Sequence, residues 1–126
     1  MLKEQFNMYN FAEDDLLDFL VGRTIERIIL SEAQFILDFG DNLQITMSSD
    51  FSICYPSRNE LIYQNGQGIH KKEIASLISH KINSYRILRS KNLELTMHNE
   101  TILTLFGNID NYECYTIRYK EELYII

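Results

Sequence analysis

Apolar and polar side chains alternate over much of this chain, and short polar turns interrupt the alternation at regular intervals. Phe35, Leu37 and Phe39 alternate with Ile36 and Asp38, the period of two expected of a strand with one buried face. Read this way, the pattern predicts strands over residues 24–30, 34–39, 43–48 and 51–55. A second series is predicted over 82–88, 92–97, 101–106 and 112–119, with a short last strand over 123–126. Gly40-Asp41-Asn42 and His98-Asn99-Glu100 fall between alternating runs and read as hairpin turns. Pro56-Ser57-Arg58-Asn59 closes the first series, because proline cannot donate to a ladder. The period changes in two places. Leu16, Phe19 and Leu20 recur at helical spacing, predicting a short helix over 12–21. Asn10 is placed to cap it, Glu13, Asp14 and Asp15 suit its first turn, and Gly22 stops it. Ile74, Leu77 and Ile78 predict a second helix over 70–79.

The two series align. Leu20-Val21-Gly22-Arg23-Thr24-Ile25 lies over Leu77-Ile78-Ser79-His80-Lys81-Ile82 at an offset of 57. After one insertion, Phe35, Leu37, Phe39, Ile45 and Thr46 lie over Leu93, Leu95, Met97, Leu103 and Thr104 at an offset of 58. The expected fold class is therefore α+β: a mostly antiparallel meander sheet, or a partly open barrel or sandwich, with two short helices. The alignment predicts a helix-plus-four-strand unit duplicated about a pseudo-twofold axis, with halves near 10–56 and 68–120 of one domain spanning 1–126; the competing account is that any two amphipathic meanders align this well.

Composition narrows the functional classes. At 126 residues, 45% hydrophobic and 24% charged, the chain has the size and make-up of one folded domain. No apolar run reaches the roughly 18 residues of a membrane span, and the N-terminus lacks a signal peptide's apolar segment. Two cysteines, Cys54 and Cys114, make no disulfide framework, so a cytoplasmic location is expected. The net charge of −6 argues against a nucleic-acid partner, which calls for a basic face. That charge is uneven: residues 1–63 hold 4 basic and 11 acidic side chains, residues 64–126 hold 8 and 7.

No arrangement of residues encodes catalysis. His70, His80 and His98 show none of the close spacings of a local metal chelate. Neither cysteine has a neighbouring cation to activate it. Asp38 with Asp41, and Glu94 with Glu100, are expected to face water on hairpins rather than to form a catalytic pair. The reading is of a non-enzymatic protein without metal or cofactor. Eight tyrosines suggest a binding surface, since tyrosine joins apolar area to a polar tip. Strand-end packing of the tyrosines is the competing account.

Leu20-Val21-Gly22-Arg23-Thr24-Ile25, Phe39-Gly40-Asp41-Asn42-Leu43-Gln44-Ile45 and Tyr112-Glu113-Cys114-Tyr115-Thr116-Ile117 together resemble a group of small bacterial proteins. These look like immunity proteins encoded beside polymorphic toxins, including those of contact-dependent growth inhibition. Ser79 stands where the second copy's glycine is expected, and Cys114 where the family has serine. The resemblance implies neutralisation of a cognate toxin domain, commonly a nuclease, in a specific complex. A nuclease must approach phosphate and is basic there, so an acidic inhibitor can cover it. The partner-binding candidates are Glu13, Asp14, Asp15 and Asp18, then Glu26, Asp38 and Asp41, with Tyr112, Glu113 and Tyr115 behind them. No nucleic acid or membrane is expected as a partner, and the free protein is expected to be a monomer or homodimer. The alternative is a homo-oligomeric structural or adaptor domain, and a small-molecule enzyme or ligand-binding domain, whose sign is a deep apolar pocket with convergent polar groups, is the third class.

Overall fold

The computed structural model describes residues 17–31, 34–48, 50–56, 61–63, 75–88, 91–107 and 115–125. Ten strands run in chain order: β1 (Arg27–Leu30), β2 (Phe35–Gly40), β3 (Leu43–Met47), β4 (Phe51–Cys54), β5 (Leu61–Tyr63), β6 (Ile82–Ile87), β7 (Leu93–Met97), β8 (Ile102–Leu105), β9 (Tyr115–Tyr119) and β10 (Glu122–Ile125). They form two antiparallel sheets, ordered β1-β2-β3-β9-β10 and β5-β4-β8-β7-β6.

The order encodes an exchange. Each half of the chain builds a three-stranded meander and then sends its last two strands to the opposite sheet, so that β9 pairs with β3 and β4 pairs with β8. Strict alternation makes the meanders possible. Leu43, Ile45 and Met47 on β3, and Leu93, Leu95 and Met97 on β7, are buried while the residues between them are half-exposed. The inward faces of both sheets meet in one apolar cluster. Phe35 of β2 stacks on Phe51 of β4 across it, ring centroids 4.8 Å apart. The loop between β2 and β3 is Asp41-Asn42, both at positive φ (54° and 59°). This is the requirement of a type I′ hairpin turn, and Asp and Asn tolerate it better than bulkier residues.

A seam joins the leading ends of β1 and β6 through a bridge between Thr24 and Lys81. Gly22 N–H donates to Ile82 O and Ser79 N–H to Ile25 O, at 2.8 and 2.7 Å. Ile25 N–H donates to His80 O and Ile82 N–H to Arg23 O, at 3.0 and 2.8 Å. Shifting by 57 residues turns each of these bonds into its partner, so the pseudo-twofold axis passes through the Thr24–Lys81 bridge. The backbone follows suit, with Gly22 at φ 87° and its counterpart Ser79 at 76°.

The α+β expectation is corrected. The fold is mostly antiparallel β, and no helix of seven or more residues occurs among the described residues. Asp18–Leu20 is a single 3-10 turn. In that turn residues three apart lie above one another, which buries both Leu17 and Leu20. From Gly22 onward the seam captures the backbone. The segments 12–16 and 70–74 of the two predicted helices lie outside the described residues. Strand β5 is an addition to the expected series, which continues past Pro56 instead of closing there.

Candidate functional site

The acidic residues singled out by sequence fall into different settings. Asp18 is exposed and accepts a hydrogen bond from the Tyr85 hydroxyl at 2.8 Å. Glu26 is exposed just before β1. Asp41, at the β2–β3 turn, pairs with Arg23 at 3.0 Å with its side chain 65% exposed. Asp38 is buried, contrary to the water-facing position expected of it. A bulge between Asp38 and Gly40 lets its carboxylate turn back onto the Gly40 N–H at 2.9 Å, and Arg27 donates to it at 2.9 and 2.6 Å. The Gly40 amide, then Arg27, hold the Asp38 carboxyl below its ordinary range, against the opposing effect of burial. Glu13, Asp14, Asp15, Tyr112 and Glu113 lie outside the described residues.

Tyr115 is corrected from surface to core. It is 1% exposed and its hydroxyl donates to Lys91 O at 2.9 Å, tying β9 to the connection between β6 and β7. The hydroxyls of three further tyrosines are also engaged: Tyr55 with Ser76, Tyr85 with Asp18, and Tyr119 with Arg23. Their positions match strand-end packing rather than a tyrosine-rich contact face.

Two pseudo-equivalent clusters flank the seam. In the first, the Arg23 guanidinium donates to Phe19 O (3.1 Å), Asp41 (3.0 Å) and the Tyr119 hydroxyl (2.9 Å). Phe19 stacks on Tyr119 with ring centroids 4.5 Å apart. In the second, His80 stands in place of Arg23 and Asn99 in place of Asp41. His80 Nε2 is 3.5 Å from Asn99 Nδ2, and the two histidine rings of His80 and His98 are 5.0 Å apart. The guanidinium–carboxylate clasp of one copy is an imidazole–amide contact in the other.

The paired histidines are poorly set for a metal ion. His98 Nδ1 accepts the Lys81 N–H at 3.0 Å, so neutral His98 carries its proton on Nε2. A metal-bound imidazole has the opposite arrangement, with its second nitrogen donating. His80 Nδ1 is buried without a partner. Among the described residues no group of three or more His, Cys, Asp or Glu is placed to hold a metal ion. His70 and Cys114 lie outside those residues, and Cys54 is half-buried at the end of β4.

The two sheets differ most at their equivalent edges. On β6, Arg86 faces Glu94 of β7 across the ladder and the two pair at 3.1 Å. At the matching register on β1, Ile29 faces Ile36 of β2. Ile29 is 36% exposed and Leu30 41%. One row thus reads Arg86, Glu94 and the buried Thr104 and Ser52, and its counterpart reads Ile29, Ile36, Thr46, Thr116. Sequence reasoning passed over this pair, although the offsets of 57 and 58 place Ile29 over Arg86 and Ile36 over Glu94.

Charge follows the same division. Residues 17–47, the 3-10 turn and the β1–β3 meander, hold 2 basic and 5 acidic side chains. The equivalent residues 75–105 hold 4 basic and 2 acidic. No protein-family model, curated protein or solved structure matches this chain. No helix among the described residues is long and apolar enough to cross a membrane.

Proposed function

We propose that this chain is an immunity protein of the cytoplasm, which binds a basic toxin domain through the acidic β1–β3 side and blocks it without chemistry of its own. The observation that carries this reading is the opposite charge of two equivalent meanders on one scaffold. A fold that repeats its backbone while reversing its charge has one side suited to a cationic partner, and single-sign fields steer such partners and speed their encounter. Glu26 is exposed at the start of β1, whereas Asp18 is held by Tyr85 of β6 and Asp38 and Asp41 are occupied by Arg27 and Arg23. The motif resemblance to toxin-immunity proteins supplies the class of partner.

The test is co-expression with the toxin-like C-terminal domain encoded beside this chain. A stoichiometric complex, rescue of growth, and an association rate that falls steeply with salt are the expected results. Absence of both complex and rescue overturns the reading. The exposed Ile29 and Leu30 favour a second reading, a homo-oligomeric adaptor. Sedimentation of the free protein separates the two, since the adaptor self-associates at micromolar concentration without a partner.

A further inference from the structure

We propose that β1 is a docking edge that accepts one extended strand from a basic protein partner. The proposal rests on the binding-protein reading above and specifies where and how the partner is held. β1 ends its sheet, and among the described residues the seam covers only its leading end, through Gly22 to Ile25. Ser31 N–H donates to Gln34 O, which fixes the phase of the β1–β2 ladder. Antiparallel pairs alternate between bonded and non-bonded, so with Ile29 opposite Ile36 and Ile28 opposite Leu37, the N–H and C=O groups of Ile28 and Leu30 point away from β2. These are the groups that an added strand engages.

The molecule carries its own control. Edge strands are ordinarily guarded by charge against unwanted pairing, and β6 is guarded by Arg86 and Glu94. At the same register, β1 exposes the Ile29–Ile36 pair. The guard is present in one copy and absent from the other. Around the open edge the charge is negative. Glu26 is exposed at its start, and Arg27 is cancelled by Asp38. A strand with apolar residues beside Ile29 and lysine or arginine beside Glu26 fits this edge, whereas an acidic strand is repelled.

The probe is a capped heptapeptide alternating lysine and valine, with a glutamate–valine peptide as its counterpart. Amide hydrogen exchange is followed by NMR on the full chain. Saturating lysine peptide is expected to slow exchange at Ile28 and Leu30 by about tenfold or more, and the glutamate peptide to leave it unchanged. Ile29→Lys is expected to abolish the protection and Ile29→Val to keep it, with Leu30→Lys as a second charged variant should the first unfold. Protection at β6 instead, equal protection by both peptides, or a free protein already paired through β1 with a second copy overturns the proposal. Toxin capture unaffected by Ile29→Lys also overturns it and leaves the immunity reading intact. Protection by the peptide without any toxin capture does the reverse.

Discussion

Replacing Arg23 with alanine tests whether the Arg23 clasp beside the seam bears more of the fold than its His80 counterpart. Arg23 joins three separate elements: the 3-10 turn through Phe19 O, the β2–β3 turn through Asp41, and the end of β9 through Tyr119. The Asp41 bond contributes little, because that side chain is 65% exposed and exposed ion pairs are worth about 0–1 kcal/mol. The bonds to Phe19 and Tyr119 are partly buried with a charged donor, and about 1 kcal/mol each is a discounted figure. The guanidinium also lies 5.3 Å from the Tyr119 ring centroid, adding about 0.5 kcal/mol. Arg23→Ala is therefore expected to cost about 2–3 kcal/mol. At about 3–4 °C per kcal/mol for a domain of this size, the thermal midpoint falls by about 6–12 °C. His80→Ala, at the equivalent place, removes one 3.5 Å contact, the ring contact with His98 and an unpartnered nitrogen, so its expected cost is about 1 kcal/mol. Urea unfolding of both variants beside wild type, with m-values compared, supplies the numbers. A cost for His80→Ala equal to or above that for Arg23→Ala would refute the reasoning.

Ser79→Gly is expected to stabilise by about 0.5 kcal/mol and Gly22→Ser to destabilise by about 1 kcal/mol in thermal melts, since both positions lie at positive φ and a Cβ at Gly22 meets nothing within 4 Å. Asp38 stabilises the fold while ionised, because its folded carboxyl titrates below its unfolded value. That contribution is full above the unfolded carboxylate range and is lost as pH falls through the lower folded value, so the stability deficit of Asp38→Asn, about 1 kcal/mol at pH 7, should shrink between about pH 5 and pH 3. A deficit that stays constant across that range counts against the Asp38 assignment. Tyr115→Phe deletes the bond to Lys91 O and is expected to cost about 1 kcal/mol in denaturant titrations. Association unaffected by the substitution would agree with its core position. Glu26→Lys is expected to slow association with a basic partner several-fold at low salt, read by stopped flow, and to leave folding stability within about 0.5 kcal/mol.

The meanders were legible because β3 and β7 keep a strict period of two, which only a one-sided sheet explains. The first helix was read from Leu16, Phe19 and Leu20, but the described turn buries Leu17 and Leu20, three apart, a spacing that a 3-10 turn satisfies as well as an α-helix. Seam hydrogen bonds that begin at Gly22 decide between them, and those bonds reach residues far along the chain. Exchange of strands between sheets leaves no periodic trace, because alternation says which side of a strand is buried and not which strand lies beside it. The site was legible in its charge and not in its pairing. Arg27 lies 11 residues from Asp38 and Arg23 lies 18 from Asp41. Tyr119 finds Arg23 across 96 residues, so neither neutralised carboxylates nor satisfied hydroxyls could be seen locally. The contrast between Ile29–Ile36 and Arg86–Glu94 was open to inspection through the repeat itself.

The exchange of terminal hairpins also sets the order in which the protein can become itself during synthesis. Tyr115 pairs with Met47, so β3 emerges from a ribosome and waits for nearly the whole remaining chain before its free side is covered. Pairings this distant fold slowly and expose apolar edges meanwhile. A product ending before Tyr115 lacks β9 and β10, leaving β3 at the rim of a three-stranded sheet. Two complete chains can satisfy the same pairings by trading second halves, which makes an intertwined dimer a hazard of crowded refolding.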